Sequence, residues 1–493
     1  MSKQVPYAAR ELNPANPDLP RSASVAALVG YKAYVAALAK VVYYWGYPFV
    51  DVSGRTSQWQ LMKKPGTLAG LVPAAPMNMM GYISDYFDRN QRWVVTPNND
   101  TIYTSGLADL SQSPVVVQTP TEVPEGHYWT IQIADAFTNV IFQLGSRINT
   151  PGGKFLLVSP DWQGQKPEGF VDVLPMPTNL AWFPARSFLA PTSESRSVSL
   201  AVLGQIGAYP LSENESGLKK FDPVAISKNA VFPPGVTKQM LKSDPEAFRP
   251  QWVNPATFWP ELEKALVLSP KVGSDDQPMA DQARTLLALY NSDPAYKALL
   301  DDVALEADVE LRAGATYSHV GIDGGNGWQR QENSGVWGTD WFGRAQAAVV
   351  YIMVNDYREA IYWIRATDAD GQPLDGKHGY TVTFTKDGLP PLQEELGGFW
   401  SLTMYSSELF MMTDPPNGRV NIGTVNLKAD QLKFNEDGAL TLFLGRAEPA
   451  DEIGKANWLP APEGGFALCL RTYASKDALV DGTYKLPNVV RGR

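Results

Sequence analysis

The sequence predicts a mainly β fold with α insertions (α+β): two β-sandwich or jelly-roll-like domains with a helical segment between them. Three observations predict this. Gly and Pro supply 41 and 39 of the 493 residues and aromatics 11%, a turn-rich and ring-rich mix that suits strands better than helical bundles. Short β-branched and aromatic runs, cut by Pro, Gly, Asn and Asp at roughly ten-residue spacing, recur in two separate stretches. Between those stretches the apolar residues follow helical spacing. A chain this long is expected to hold about two to four domains, and no repeat with a period of about 20–50 residues is present.

The apolar stretch Ser24 to Val50 reads as an amphipathic or buried helix, because Lys32 and Lys40 interrupt it. Ser24 is its expected N-cap and Gly46-Tyr47-Pro48 its expected stop. From Gln91 to Val202 the expected strands are Trp93-Val94-Val95, Val115-Val116-Val117, Tyr128 to Ile131, Val140-Ile141-Phe142 and Phe155 to Val158. Asn214 to Asp275 is Pro-rich, with short helices at most. Met279 to Ala315 reads as helix broken at Ser292-Asp293-Pro294. Arg344 to Arg365 reads as a further helix, with Ala345, Ala348, Val349, Ile352, Ala360 and Ile361 as its apolar positions. A second β-region follows: Tyr380 to Phe384, Phe399 to Tyr405, Leu440 to Leu444 and Phe466 to Tyr473. The expected division is a helical segment over 1–60, a β-domain over 61–212, a helical or irregular insertion over 213–320 and a second β-domain over 321–493.

Forty-two Lys and Arg against 52 Asp and Glu leave a net charge of -10, which argues against a nucleic-acid binder resting on a basic surface. One cysteine, Cys469, excludes an intrachain disulfide, a CxxC motif and a Cys-ligated structural zinc. Three histidines exclude a His-rich metal site, and HExxH, P-loop and GxSxG motifs are absent. Met1 to Ala23 is polar and Pro-rich, without the apolar core of a signal peptide; a chain that had lost its leader would read the same. The expectation is a soluble protein without a membrane span, whose chemistry rests on Asp, Asn, Tyr and Arg.

Two regions carry a resemblance. The first holds Thr96-Pro97-Asn98-Asn99-Asp100-Thr101-Ile102-Tyr103, Leu107-Ala108-Asp109-Leu110, Gly145-Ser146-Arg147 and Pro160-Asp161-Trp162. The second holds Gly335 to Arg344, Leu374-Asp375-Gly376, Leu389-Pro390-Pro391, Phe399-Trp400-Ser401-Leu402-Thr403-Met404-Tyr405, Asn457-Trp458-Leu459-Pro460-Ala461-Pro462 and Leu470-Arg471 with Tyr473. Together they resemble the two-domain family of DUF1254 and DUF1214, domains of unknown function. The resemblance implies a bacterial-type protein with β-sandwich or jelly-roll-like domains around helical insertions, in a family whose members often look exported, hence periplasmic or secreted. It assigns no activity. One departure is Asn417-Gly418-Arg419-Val420, where the family usually carries Asn-Arg-Tyr.

The densest polar cluster is Asn98, Asn99, Asp100, Thr101 and Tyr103. A carboxylate beside two amides can orient a water or a hydroxyl, or ligate a hard cation; equally, these side chains can close an Asx turn at a strand end. Asp100 and Asp135 are the candidate acid/base carboxylates, with Asp109 as a further member of the set. Arg147 or Arg186 is available as a counter-ion, in a pair that could bind an anionic substrate group bidentately, and an ion pair that merely locks the first sandwich is the competing reading. His319, ahead of the Gly-rich Gly324 to Trp328, is the histidine candidate for a general base; His127 and His378 read as turn residues. Asp368, Asp370 and Asp375 fit a turn better than a calcium loop. Asn98, Asn99, Tyr103 and Arg147 are the candidate substrate-binding residues in the first domain; Trp328, Trp337 and Arg344 are those of the second. Trp328 and Trp337, beside glycines, could line a pocket or fill a core, and Trp400 reads as core.

The expected function is an enzyme acting on a small organic or carbohydrate-like substrate by carboxylate and amide acid/base chemistry, as a hydrolase or lyase. The alternative is a non-catalytic ligand- or carbohydrate-binding protein. No cofactor is expected, an oxygen-ligated divalent cation stays open, and the expected partner is the small-molecule substrate, with homo-oligomerisation left open.

Overall fold

Side chains alternate across a strand, so a strand buried on both faces serves two cores at once. That rule organises this protein, whose computed structural model describes residues 30–316, 321–407 and 410–492. The chain is mixed α+β, mainly sheet, with helical insertions. In the first half, a seven-stranded sheet runs in the order Gly81–Tyr82, Thr101–Ser105, Ala185–Phe188, Trp129–Asp135, Leu180–Trp182, Leu107–Asp109, and Val140–Gly145 also pairs with Trp129–Asp135. A four-stranded sheet, Asp172–Pro175, Gly153–Val158, Val115–Thr119, Gly207–Pro210, faces it. Ile102, Ile131, Ile133 and Ala185 of the larger sheet share one core with Val115, Val117, Phe155 and Leu157 of the smaller.

The second half repeats the device. A six-stranded sheet is ordered Ile322–Gly325, Trp328–Arg330, Ala360–Arg365, Phe466–Tyr473, Phe399–Ser406, Asn421–Gly423. It packs Trp363, Leu402, Leu468 and Leu470 against Val382, Phe384, Leu442 and Leu444 of the sheet Trp458–Pro460, Leu440–Gly445, Tyr380–Phe384, Val490–Arg491.

The other faces of both large sheets are buried too. Tyr103 and Trp182 from the first, and Tyr362, Cys469 and Tyr473 from the second, join a central core with the helices Lys32–Trp59, Phe258–Leu268, Gln277–Ser292, Pro294–Thr316 and Trp341–Val350. Lys32–Trp59 packs against the other four helices. Among the described residues, no helix is long and apolar enough to cross a membrane.

Four expectations are corrected. The first helix does not stop at Gly46-Tyr47-Pro48 but runs to Trp59 with Pro48 inside it. A proline removes one backbone hydrogen bond; fully buried Tyr43 and Trp45 before it and Phe49 and Val52 after it hold the helix together in the central core. Ser24 lies outside the described residues. Trp93-Val94-Val95 is a loop, closed by the side-chain oxygen of Gln91, which accepts from the Trp93 and Val94 amides. Arg344 to Arg365 is not one helix: Trp341–Val350 is helical, while Ala360–Arg365 is a strand in full register with Phe466–Tyr473. A strand buried on both faces is apolar throughout, and such a run is ambiguous between the two periods. The Pro-rich insertion contains an eleven-residue helix, Phe258–Leu268.

Candidate functional site

Where the outward faces of the two large sheets approach each other, the side chains leave a cavity of about 100 Å³. Pairing of Ala185–Phe188 with Thr101–Ser105 sets Arg186 opposite Tyr103. In the second half, Phe466, Leu468 and Leu470 belong to the sandwich core, so Cys469, Arg471 and Tyr473 point the other way. Asn98, Tyr103, Arg186, Arg471, Tyr473 and Tyr362 line the polar part of the cavity. Two residues along the same strand face from Tyr103, Ser105 accepts from the Trp182 indole at 2.8 Å; there Trp59, Trp182, Trp252 and Arg55 form the aromatic part.

The Tyr473 hydroxyl accepts two hydrogen bonds, from Arg186 Nη1 at 3.1 Å and Asn98 Nδ2 at 3.2 Å. Burial first, then neighbouring Tyr362, raises this phenol well above the ordinary tyrosine range, so it stays protonated. Arg186 also donates to Gln132 Oε1 at 3.2 Å and lies over the Tyr103 ring at 5.2 Å. Arg471 Nη2 donates to the Tyr405 hydroxyl at 2.8 Å. Both guanidinium groups are buried, and among the described residues neither has a carboxylate within ion-pair distance. Arg186 Nε and Arg471 Nε and Nη1 have no hydrogen-bond partner. Buried charge without compensation is costly, so three unpartnered guanidinium nitrogens on residues lining one cavity demand an explanation.

Backbone strain gathers here as well. Thr96 at φ 47° and Ile352 at φ 62° are β-branched residues in the left-handed region, and both line the cavity. Such conformations are held against their cost by surrounding structure and cluster at binding sites.

The loop Thr96 to Asp100 joins the halves. Asn98 Oδ1 accepts from the Asp100 amide at 2.8 Å, an Asx turn, and the Pro97 carbonyl accepts from the Tyr405 hydroxyl at 2.6 Å. Asp100 is fully buried and accepts from Ser401 Oγ at 2.5 Å and Asn421 Nδ2 at 2.6 Å. Burial pushes its pKa up to about 6, opposed by the nearby Arg471 and by those two donors. It sits at the junction and not on the cavity wall.

Of the other residues singled out in the sequence, Asn98 and Tyr103 line the cavity. Asn99 does not; its backbone oxygen faces Asn421 at 3.5 Å. Asp135 closes its own turn, accepting from the Phe137 and Asn139 amides and from Asn139 Nδ2 at 2.8–2.9 Å; burial raises it to about 6. No hydrogen bond joins it, or Asp109, to Asp100 among the described residues. Arg147 pairs with Glu359 at 2.7 Å, and Tyr128 donates to the same carboxylate at 2.6 Å, so this ion pair locks the halves together. Arg344 is fully buried among the helices, on Trp341–Val350, bonded to Asp276 at 3.2 Å and the Trp45 carbonyl at 3.3 Å, and does not line the cavity. Trp328 belongs to the second sandwich core and Trp337 to the central core; neither lines the cavity. His319 lies outside the described residues. His127 bonds Ser187 Oγ at 2.8 Å. Asp368 accepts from the Asp370 and Gln372 amides, a turn. Among the described residues, no three His, Cys, Asp or Glu side chains gather to hold a metal.

Sequence reasoning considered Arg186 as a counter-ion whose pair could bind an anionic substrate group, and gave Arg471 and Tyr473 no role. The available signal was Arg471 as the one charged residue of Phe466–Tyr473, on the alternate face from Leu468 and Leu470.

No curated protein matches the chain. The VPA0106 protein from Vibrio parahaemolyticus, a solved structure, is 22% identical with a TM-score of 0.60, over 93% of this chain and 100% of that one; at this identity the likeness is one of fold. An uncharacterised protein from Burkholderia cenocepacia is 10% identical with a TM-score of 0.43, over 96% of this chain and 98% of its own. Residues 77–202 match the model of DUF1254 and residues 359–477 that of DUF1214, each described as a protein of unknown function. The first match takes in the Asn98–Asp100 loop, Tyr103 and Arg186, the second Arg471 and Tyr473, and the chain belongs to the two-domain family that joins DUF1254 to DUF1214.

Proposed function

We propose that the cavity binds a small organic molecule with an apolar, ring-bearing body and an anionic head. The reading rests on one observation: Arg186 and Arg471 are buried at the cavity with three unpartnered guanidinium nitrogens and no ion-paired carboxylate among the described residues. A carboxylate or similar oxyanion would satisfy these donors and neutralise the buried charge. The aromatic walls, Trp59, Trp182 and Trp252 among them, supply flat apolar surface for the body.

A second reading, catalysis, is favoured by Tyr473. Its oxygen already accepts from Arg186 and Asn98, so its own proton is left to be offered to a ligand bound beside it. Acid/base work at this site would therefore run through the phenol, with Asp100 holding the loop that positions Asn98.

The test compares 4-phenylbutyrate with 4-phenylbutyramide by tryptophan-fluorescence titration. The carboxylate is expected to bind about tenfold tighter or more, the worth of a charge-assisted hydrogen bond, and Arg471→Met to abolish the preference. Equal binding of acid and amide would overturn the proposal.

A further inference from the structure

A second depression, about 1360 Å³ of open space, adjoins the first. Arg55, Trp93, Val95 and Trp252 line both, so these four side chains form the partition between them. The Arg55 guanidinium is centred 4.6 Å from the Trp252 ring and 5.4 Å from the Trp182 ring, and its Nε meets Asp51 at 2.5 Å. Four arginines line this outer basin (Arg55, Arg92, Arg249 and Arg312) against two carboxylates, Asp51 and Glu246. Arg55 pairs with Asp51, Arg92 with Glu246, and Arg312 with Asp308. Arg249 is exposed and has no ion pair among the described residues. The basin is thus locally positive on a chain whose net charge is -10.

We infer that the arginine-lined basin is the entrance through which an anionic ligand reaches the inner cavity, with Arg55 and Trp252 as the partition it passes. The inference rests on the binding proposed above. A concave surface of one sign raises the local concentration of oppositely charged ligand and speeds association, an effect that salt screens. Such steering acts on the association rate, whereas Arg186 and Arg471 hold the bound head and set the dissociation rate. Arg55 lies over the aromatic rings while its edge donates to Asp51 and, from Nη1, to the Trp93 carbonyl at 2.6 Å; Asp51 lines the basin and not the inner cavity, so moving Arg55 toward the basin leaves no carboxylate of the inner cavity unpaired.

The experiment uses the full chain and stopped-flow tryptophan fluorescence with 4-phenylbutyrate. Arg249→Glu is expected to slow association about fivefold or more at ~10 mM salt, the gap closing near ~0.5 M, with dissociation unchanged. Gln251→Cys, an exposed basin residue, is then labelled with a bulky pyrene maleimide; the native Cys469 is buried and stays unlabelled. The labelled basin is expected to slow association about tenfold or more, while the same label on exposed Asp387→Cys changes nothing. If the labelled Gln251→Cys protein binds as fast as the unlabelled one, or if Arg249→Glu leaves association at low salt unchanged, the entrance lies elsewhere and the cavity's binding role survives. If the unmodified protein does not bind 4-phenylbutyrate, the binding proposal falls and the entrance falls with it.

Discussion

The tryptophans of the two halves look alike in composition and differ in what surrounds them. Trp328 and Trp400 lie inside the second sandwich: Trp328 is fully buried with its indole N–H on the Pro487 carbonyl at 2.9 Å, and Trp400 meets the Phe384 ring at 5.2 Å. Trp59, Trp182 and Trp252 sit outside both sandwich cores, on the wall of the cavity, where Trp59 and Trp182 meet edge to face at 6.1 Å and the Arg55 guanidinium lies over the Trp182 and Trp252 rings. Ring content alone therefore does not find the site; the face of the sheet does.

The sharpest way to break that contrast is to truncate one ring from each group. Trp328→Ala should cost about 4 kcal/mol in urea denaturation, the sum of lost burial and an unfilled cavity, and leave 4-phenylbutyrate affinity intact in the folded fraction. Trp252→Ala, at a half-buried position, should cost under about 1 kcal/mol and weaken that affinity roughly tenfold. Loss of affinity in Trp328→Ala, or full affinity in Trp252→Ala, would undo the division.

The same contrast holds for arginines. Arg147→Met leaves the buried Glu359 without its cation and should cost about 3 kcal/mol. Arg186→Met removes a buried charge that has no carboxylate partner and should change stability little, while removing the preference for acid over amide. Equal destabilisation by the two would mean that Arg186 has a structural counter-ion after all.

How much of this could be read in advance follows from where each signal lives. Strands with alternation or β-branched runs, such as Val115–Thr119 and Tyr380–Phe384, were legible because period and composition agree. Ala360–Arg365 was not, since both faces are buried and its residues are equally apolar under either period. Trp93 to Val95 misled for a different reason: its rings and branches are apolar because they line cavities from a loop. At the site, Asn98 and Tyr103 stood out as polar residues in an ordered string. Arg471 and Tyr473 did not, because alternation tells which face they share but not that a cavity, instead of a core, lies opposite. Asp100 drew attention as chemistry, and the Asx turn offered against it is the geometry found.

The last expected effect concerns that carboxylate, and it asks whether the junction behaves as closed protein interior. Asp100 and Asp135 are each raised by burial to about 6 from an ordinary 3.8. An acid whose folded pKa is raised contributes stability that is fully present below its unfolded value and is lost as pH rises through the folded one. Both groups thus favour the fold near pH 4 and cease to near pH 6–7. His127, lowered to about 4 mainly by burial, has the opposite sign: its contribution is present above 6.5 and is lost as pH falls toward 4. Asp100→Asn keeps the shape at the junction and removes one titrating group. Between pH 4 and 7 its urea-denaturation stability should therefore decline less steeply with rising pH than that of the unaltered chain, by on the order of 2 kcal/mol across the window. His127→Gln should shift the profile the other way, removing the loss of stability on the acid side. If Asp100→Asn follows the parent profile at every pH, the carboxylate is hydrated, and the loop from Thr96 to Asp100 is an open edge of the cavity instead of the clasp between the two sheets.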